Sequence, residues 1–172
     1  GSEMCIRDSS NTMNIKIVAV GKIKEKFYKD AIDEYLKRLG SYTNIEIIEV
    51  ADESASESLS SKEIENIKDI EADRIIKKIK DNSFIVTLEI KATGLTSEGF
   101  ADFIKEEMLD GAGRDLVFVI GGSNGMGQRI LDLANKRISF GKMTYPHQLM
   151  RVILTEQIYR AFRIINNHPY HK

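Results

Sequence analysis

Apolar positions change period repeatedly along this chain, and each change marks an element. The run Ile15-Lys16-Ile17-Val18-Ala19-Val20 is rich in β-branched residues and stops at Gly21, which predicts a strand. Over 24–39, Phe27, Ala31, Tyr35, Leu36 and Leu39 recur at helical spacing before Gly40. Ile45–Val50 is a second strand. The polar stretch 51–61 reads as a mobile loop. A long amphipathic helix follows, carrying Ile64, Ile67, Ile75, Ile76 and Ile79, with Ser61 as its expected cap. Ser83–Ile90 predicts a strand and Thr96–Leu109 a helix built on Phe100, Phe103, Ile104 and Met108.

Asp115–Ile120 is apolar without interruption after its first residue, the pattern of a strand buried on both faces of a parallel sheet. A helix over Met126–Ala134, a short strand over Lys136–Phe140 and a final helix over His147–Ile165 complete the series. Pro146 suits the first turn of that last helix, where its missing N–H is not needed. Strand and helix alternate throughout, so the expected class is α/β, a mostly parallel sheet flanked by helices. Residues 13–172 read as one domain, with no internal repeat or linker.

Residues 1–12 stand outside that pattern. Gly1-Ser2 resembles a cloning scar, the stretch is too polar for a secretory signal, and Met13 leads directly into the first strand. They are expected to be a tag or non-native extension. No apolar run approaches bilayer length, so no membrane span is expected. The one cysteine, Cys5, excludes an intrachain disulfide and a cysteine zinc cage, and fits a reducing, cytoplasmic setting.

The net charge of −1 conceals an asymmetry. Residues 111–172 carry nine Lys and Arg against Asp115, Asp132 and Glu156, or +6; the remaining 16 basic and 23 acidic residues leave −7 in 1–110. All three histidines lie in the basic third. The distribution allows a polyanionic partner, and equally a solvated basic face.

Chemistry concentrates in the same third. Gly121-Gly122-Ser123-Asn124-Gly125-Met126-Gly127 follows the most apolar strand, at the carboxyl end where α/β sheets bind ligands. The glycine order is not G-x-G-x-x-G and the loop follows a late strand, so a dinucleotide fingerprint fails. Gln128-Arg129 stand where a P-loop needs lysine and a hydroxyl, so that fails too. One glycine makes a turn; four in this stretch argue for close approach to another ligand, with a plain turn left as the alternative. The segment Ser139–Tyr145 has Lys142 as its one charge and offers backbone groups suited to the edge of a purine. A simple connection is the competing reading.

The sequence closes with Asn166-Asn167-His168-Pro169-Tyr170-His171-Lys172, whose polar groups no apolar periodicity explains. Histidine is the side-chain type suited to proton transfer near neutrality. A solvated tail is the bland alternative, and two histidines three apart with no third ligand do not predict a metal site. Glu156 and Arg160 are spaced for an i,i+4 pair, and His147 near a helix start reads as a structural hydrogen bonder.

Taken together, Phe118–Gly125, Ser139–Gln148, Glu156–Phe162 and Asn167–His171 resemble one family: the large-subunit ribosomal RNA methyltransferase H group of the SPOUT class, over Met13–Lys172. That resemblance implies a C-terminal trefoil knot, a homodimer, and S-adenosylmethionine as methyl donor to N3 of a pseudouridine in 23S ribosomal RNA. It implies cofactor contacts from Leu88, Gly121 and Phe140, Gly141, Lys142, Met143, Thr144 and Tyr145. Gly141 stands where the family often has serine, so a hydroxyl contact there is absent. Following the same resemblance, His171 takes a base or orienting role, Tyr170 contacts the target base and Arg160 supplies electrostatic support, with the tail as a lid. The implied substrate is the large subunit or assembled ribosome. A non-catalytic nucleotide- or metabolite-binding module is the alternative, in which the tail is idle.

Overall fold

The computed structural model describes residues 13–53 and 58–172. Residues 1–12, read as an extension, and 54–57, part of the loop read as mobile, lie outside the described residues. Five strands form one parallel sheet: β1 (Asn14–Val20), β2 (Asn44–Val50), β3 (Phe84–Gly94), β4 (Leu116–Ile120) and β5 (Lys136–Ser139). Their spatial order is β2-β1-β4-β3-β5. The uninterrupted Leu116-Val117-Phe118-Val119-Ile120 run is the central strand, paired with β1 on one side and β3 on the other and buried at every residue.

Five helices cover the sheet: α1 (Lys26–Leu39), α2 (Ser61–Ile76), α3 (Ser97–Asp110), α4 (Gln128–Leu133) and α5 (His147–Ile165). Alternation of side chains across β4 divides the core into two layers. Leu116, Phe118 and Ile120 join Phe100, Ile104, Leu154 and Phe162 under α1, α3 and α5. Val117 and Val119 join Ala72, Ile75 and Ile130 under α2 and α4. Each fully buried aliphatic or aromatic side chain contributes about 1.5–3 kcal/mol of transfer free energy.

Most predicted elements are present, and the differences have local causes. Ser60 rather than Ser61 caps α2: its backbone is still extended, its Oγ accepts from the Glu63 N–H at 3.2 Å, and Glu63 reaches back to complete a capping box. Pro146 occupies the N-cap of α5 rather than its first turn, its carbonyl accepting from Met150 N at 3.0 Å. The helix after the glycines starts at Gln128, because Gly122 and Gly125 first pair across a tight turn. The largest departure is β3, which runs on to Gly94. Leu88 and Thr93 both register with Ile138, so residues 89–92 bulge out of the ladder and pairing resumes at Thr93-Gly94. No periodicity announces that bulge, and it shapes the cleft described below. Among the described residues no helix is long and apolar enough to cross a membrane.

Candidate functional site

A cleft of about 610 Å³ opens at the carboxyl ends of β3, β4 and β5. Its floor is Leu88, the last β3 residue paired before the bulge, and Ile120, the last residue of β4; its walls are the β3 bulge, the glycine turn and the segment between β5 and α5. Seven of the eight predicted cofactor residues line it: Leu88, Gly121, Phe140, Gly141, Met143, Thr144 and Tyr145. Lys142 does not, and is exposed; its side chain departs from the expected set.

Two glycines in these walls have a physical requirement. A β-carbon on Gly121 would lie 2.9 Å from Met126 Cγ and 3.2 Å from the Gly125 carbonyl carbon, so the turn closes over Gly121 only because it lacks one. Gly141 has φ +121°, a conformation L side chains rarely adopt, although no atom lies within 4 Å of a β-carbon built there. Conformation rather than space therefore selects glycine at 141. Ser139 fastens this segment: its Oγ donates toward Ile90 O and Gly141 O at 3.0 Å and accepts from Gly141 N at 3.1 Å.

The cleft also holds charge that the sequence did not single out. Glu89 projects from the bulge and accepts from Arg137 Nε and Nη2, each at 2.6 Å, with the Thr87 hydroxyl donating at 2.8 Å. Burial opposes the Glu89 charge, but the Arg137 and Thr87 hydrogen bonds outweigh it and hold the carboxyl below its usual range. Lys68 enters from α2 and Lys91 from the bulge. Glu89 opens the bulge after Leu88, inside the strand predicted over Ser83–Ile90, so no signal in the sequence singled it out.

His147 stands at the start of α5 in the cleft wall, half-buried. Burial first, and the Arg151 guanidinium second, depress its pKa below the usual 6.5. Expected to be a structural hydrogen bonder, it makes no ring hydrogen bond to the other described residues and faces the cavity instead.

The predicted catalytic trio lies elsewhere in the chain. Arg160 is 13 residues beyond His147 on α5, about 20 Å at 1.5 Å per residue. Glu156 receives Arg160 at 2.5 Å and the Tyr170 hydroxyl at 3.0 Å. The Tyr170 ring packs edge-on against Tyr159, centroids 4.9 Å apart, beneath the Arg160 guanidinium. Burial, then the hydrogen bond to Glu156, pushes the Tyr170 phenol well above its usual pKa, so it stays a neutral donor. His171 Nδ1 lies 3.0 Å from Arg160 Nη1 and Nε2 lies 2.6 Å from Glu98 Oε1. His168 Nδ1 meets the Tyr42 hydroxyl at 2.6 Å, and Arg163 donates to the Pro169 carbonyl at 2.8 Å. The expectation that no packing explains this segment is thus corrected: Tyr42, Tyr159, Glu98 and Glu156 tie it to its own chain. None of its residues lines the cleft, so within one chain it is not a lid.

Tertiary pairing also reduces the basic excess of 111–172. Arg114, Arg129, Arg137, Arg151 and Arg160 are ion-paired with Glu107, Asp73, Glu89, Glu49 and Glu156, four of these acids coming from the first 110 residues. Among the described residues no group of three His, Cys, Asp or Glu side chains is arranged to hold a metal ion. Residues 13–171 match a family model described as "Predicted SPOUT methyltransferase".

Proposed function

The chain belongs to the SPOUT methyltransferase family, and from that premise we propose that it methylates N3 of a pseudouridine in 23S ribosomal RNA with S-adenosylmethionine, as a cytoplasmic homodimer acting on the large subunit or the assembled ribosome. The observation that carries this reading is the cleft itself. Its volume falls in the range of about 300–1,000 Å³ common for small-molecule sites. Gly121 lets the turn close against Met126 at the end of β4, Leu88, Ile120 and Met150 give apolar walls, and 142–145 is irregular backbone with groups suited to a purine edge. These residues suit an adenosine moiety.

When bound, the cofactor supplies an electrophilic methyl carbon on a sulfonium. Leu88, Gly121 and the backbone of Phe140–Tyr145 hold the nucleoside end, with Lys142 taking part through backbone alone. Bringing a donor and a ring nitrogen into line is worth several kcal/mol of barrier, because translation and rotation are lost before the chemical step. Arg160, Tyr170 and His171 lie far from this chain's own cleft, so they reach a cleft only if a second copy is apposed. In that arrangement Tyr170 and His171 orient the target base and Arg160 favours negative charge developing on it. A trefoil knot over β4–α5 belongs to the same proposal.

One observation favours the rival, a binding module without catalysis: His168, Pro169, Tyr170 and His171 are each engaged within their own chain. The deciding experiment incubates the protein and labelled S-adenosylmethionine with ribosomes from cells lacking this gene. Mass spectrometry showing a new methyl group on pseudouridine supports the enzyme. Cofactor binding with no transfer to RNA supports the module.

A further inference from the structure

The three histidines, His147, His168 and His171, meet different fates in the fold. Arg160 can only donate, so the His171 Nδ1 beside it must accept, and the ring hydrogen sits on Nε2 and is given to Glu98. Both nitrogens of His171 are therefore spent. His168 is bonded to the Tyr42 hydroxyl. The imidazole that faces the cleft is His147, which shares its wall with Gly121, Tyr145 and Met150 and has no ring hydrogen bond to the other described residues.

We propose that His147 is a catalytic residue, its imidazole accepting the proton released from the ring N–H of the methyl-acceptor base. The inference rests on the methyl-transfer reading above. In the step, the base's N–H bond breaks, its electron pair stays on nitrogen and its proton passes to an imidazole nitrogen of His147. The nitrogen pair bonds the methyl carbon as the carbon–sulfur bond breaks, that pair staying on sulfur to leave a neutral thioether. The imidazolium then returns its proton to water.

The charge nearest to His147 and the charges that share its cleft bear on the role. Arg151 lies one turn along α5, Lys68 comes from α2, Glu89 and Lys91 from the bulge, and Arg137 from β5. Arg137 and Glu89 offset one another, and Lys68 and Arg151 are paired with Glu65 on α2 and Glu49 on β2; the nearby Arg151 guanidinium still disfavours a resting imidazolium. Burial acts in the same direction, so the imidazole is unprotonated and able to accept at neutral pH.

The test compares full-length wild type with His147→Gln and His147→Ala in single-turnover methyl transfer to unmodified ribosomes, with calorimetric cofactor affinity and NMR titration of the three imidazoles. Expected are cofactor Kd values within threefold of wild type and transfer at least 100-fold slower, within the general-base range of about 10²–10⁴. The acid limb of the pH–rate profile should vanish, and added imidazole should partly restore His147→Ala. In wild type, the His147 resonance alone should shift on adding S-adenosylmethionine, and it should titrate below 6.5. Transfer by His147→Gln within threefold of wild type, with an unchanged pH profile, overturns the inference alone. So does a His147 resonance silent to the cofactor, a readout that survives any folding defect in the variants. Wild type that binds cofactor and methylates no RNA overturns the reading and the inference together.

Discussion

Arg151, 1% exposed, reaches from α5 across the end of β1 to Glu49 on β2, their Nη1 and Oε2 atoms 2.5 Å apart. Its other terminal nitrogen donates to the carbonyls of Gly21 at 2.8 Å and Val20 at 3.3 Å. One guanidinium thus joins two strand ends to the helix that carries His147. Arg151→Leu strands two carbonyls and a carboxylate, and the expected loss is about 2–4 kcal/mol; the partial exposure of Glu49 keeps it below the worst buried cases. Glu49→Gln should cost about 1 kcal/mol or less. Urea unfolding of the two variants checks the order, and equal costs would contradict it.

Glu71 is a buried acid lying against Gly122, one oxygen accepting from Glu53 N at 3.0 Å and the other without a partner among the described residues. Burial raises its pKa; the Glu53 N–H and Arg74 oppose that, while Asp52 and Glu53 add to it. The sign follows from linkage. As pH climbs from about 4.5, the unfolded carboxyl ionises before the folded one, so this residue lowers stability progressively until the folded group also ionises. Glu71→Gln should remove that decline, raising the urea midpoint at pH 7–8 relative to wild type while leaving the two alike near pH 4. A midpoint difference independent of pH would show that Glu71 is ionised in both states.

At Gly121 the expected effect is on binding. A methyl group there meets Met126 and the Gly125 backbone, so Gly121→Ala must open the turn. Overpacking costs about 1–3 kcal/mol, and cofactor Kd should rise at least tenfold by calorimetry. Unchanged affinity would remove Gly121 from the proposed cofactor wall.

Ending the chain after Asn167 removes the contacts to Tyr42, Glu98 and Glu156 while leaving every cleft residue in place. Methyl transfer should be abolished and cofactor affinity unchanged. Full turnover in the truncated protein would show that Tyr170 and His171 take no part.

Charge pairing limits electrostatic RNA affinity. With five arginines of the basic third already paired, Lys136, Lys142, Arg163 and Lys172 remain, and four phosphate contacts from this third give a log–log salt slope of about −3 for single-stranded RNA. A filter-binding slope much steeper than that would mean that the pairs open on binding or that basic residues of 1–110 join the contact.

Legibility followed the range of the interaction. The β4 strand was evident because a segment buried on both faces must be apolar throughout. The glycine turn at Gly121 was approachable because ligands of a parallel sheet sit at its strand ends, whereas Leu88 and the individual contacts of the 140–145 segment were named only through the family resemblance. The Glu89 bulge, the pairing of Arg137 and the docking of Tyr170 on Tyr159 were not, because each joins residues remote in sequence.

By itself the sequence determined the alternation of strand and helix and the concentration of glycines and histidines in the last third, both of which are local pattern. Tertiary structure alone decided which histidine faces the cleft, which arginines keep a free charge, and that the residues of the closing segment bind their own chain. Those outcomes depend on distances between residues up to 126 positions apart, and only packing of helices on the completed sheet sets such distances.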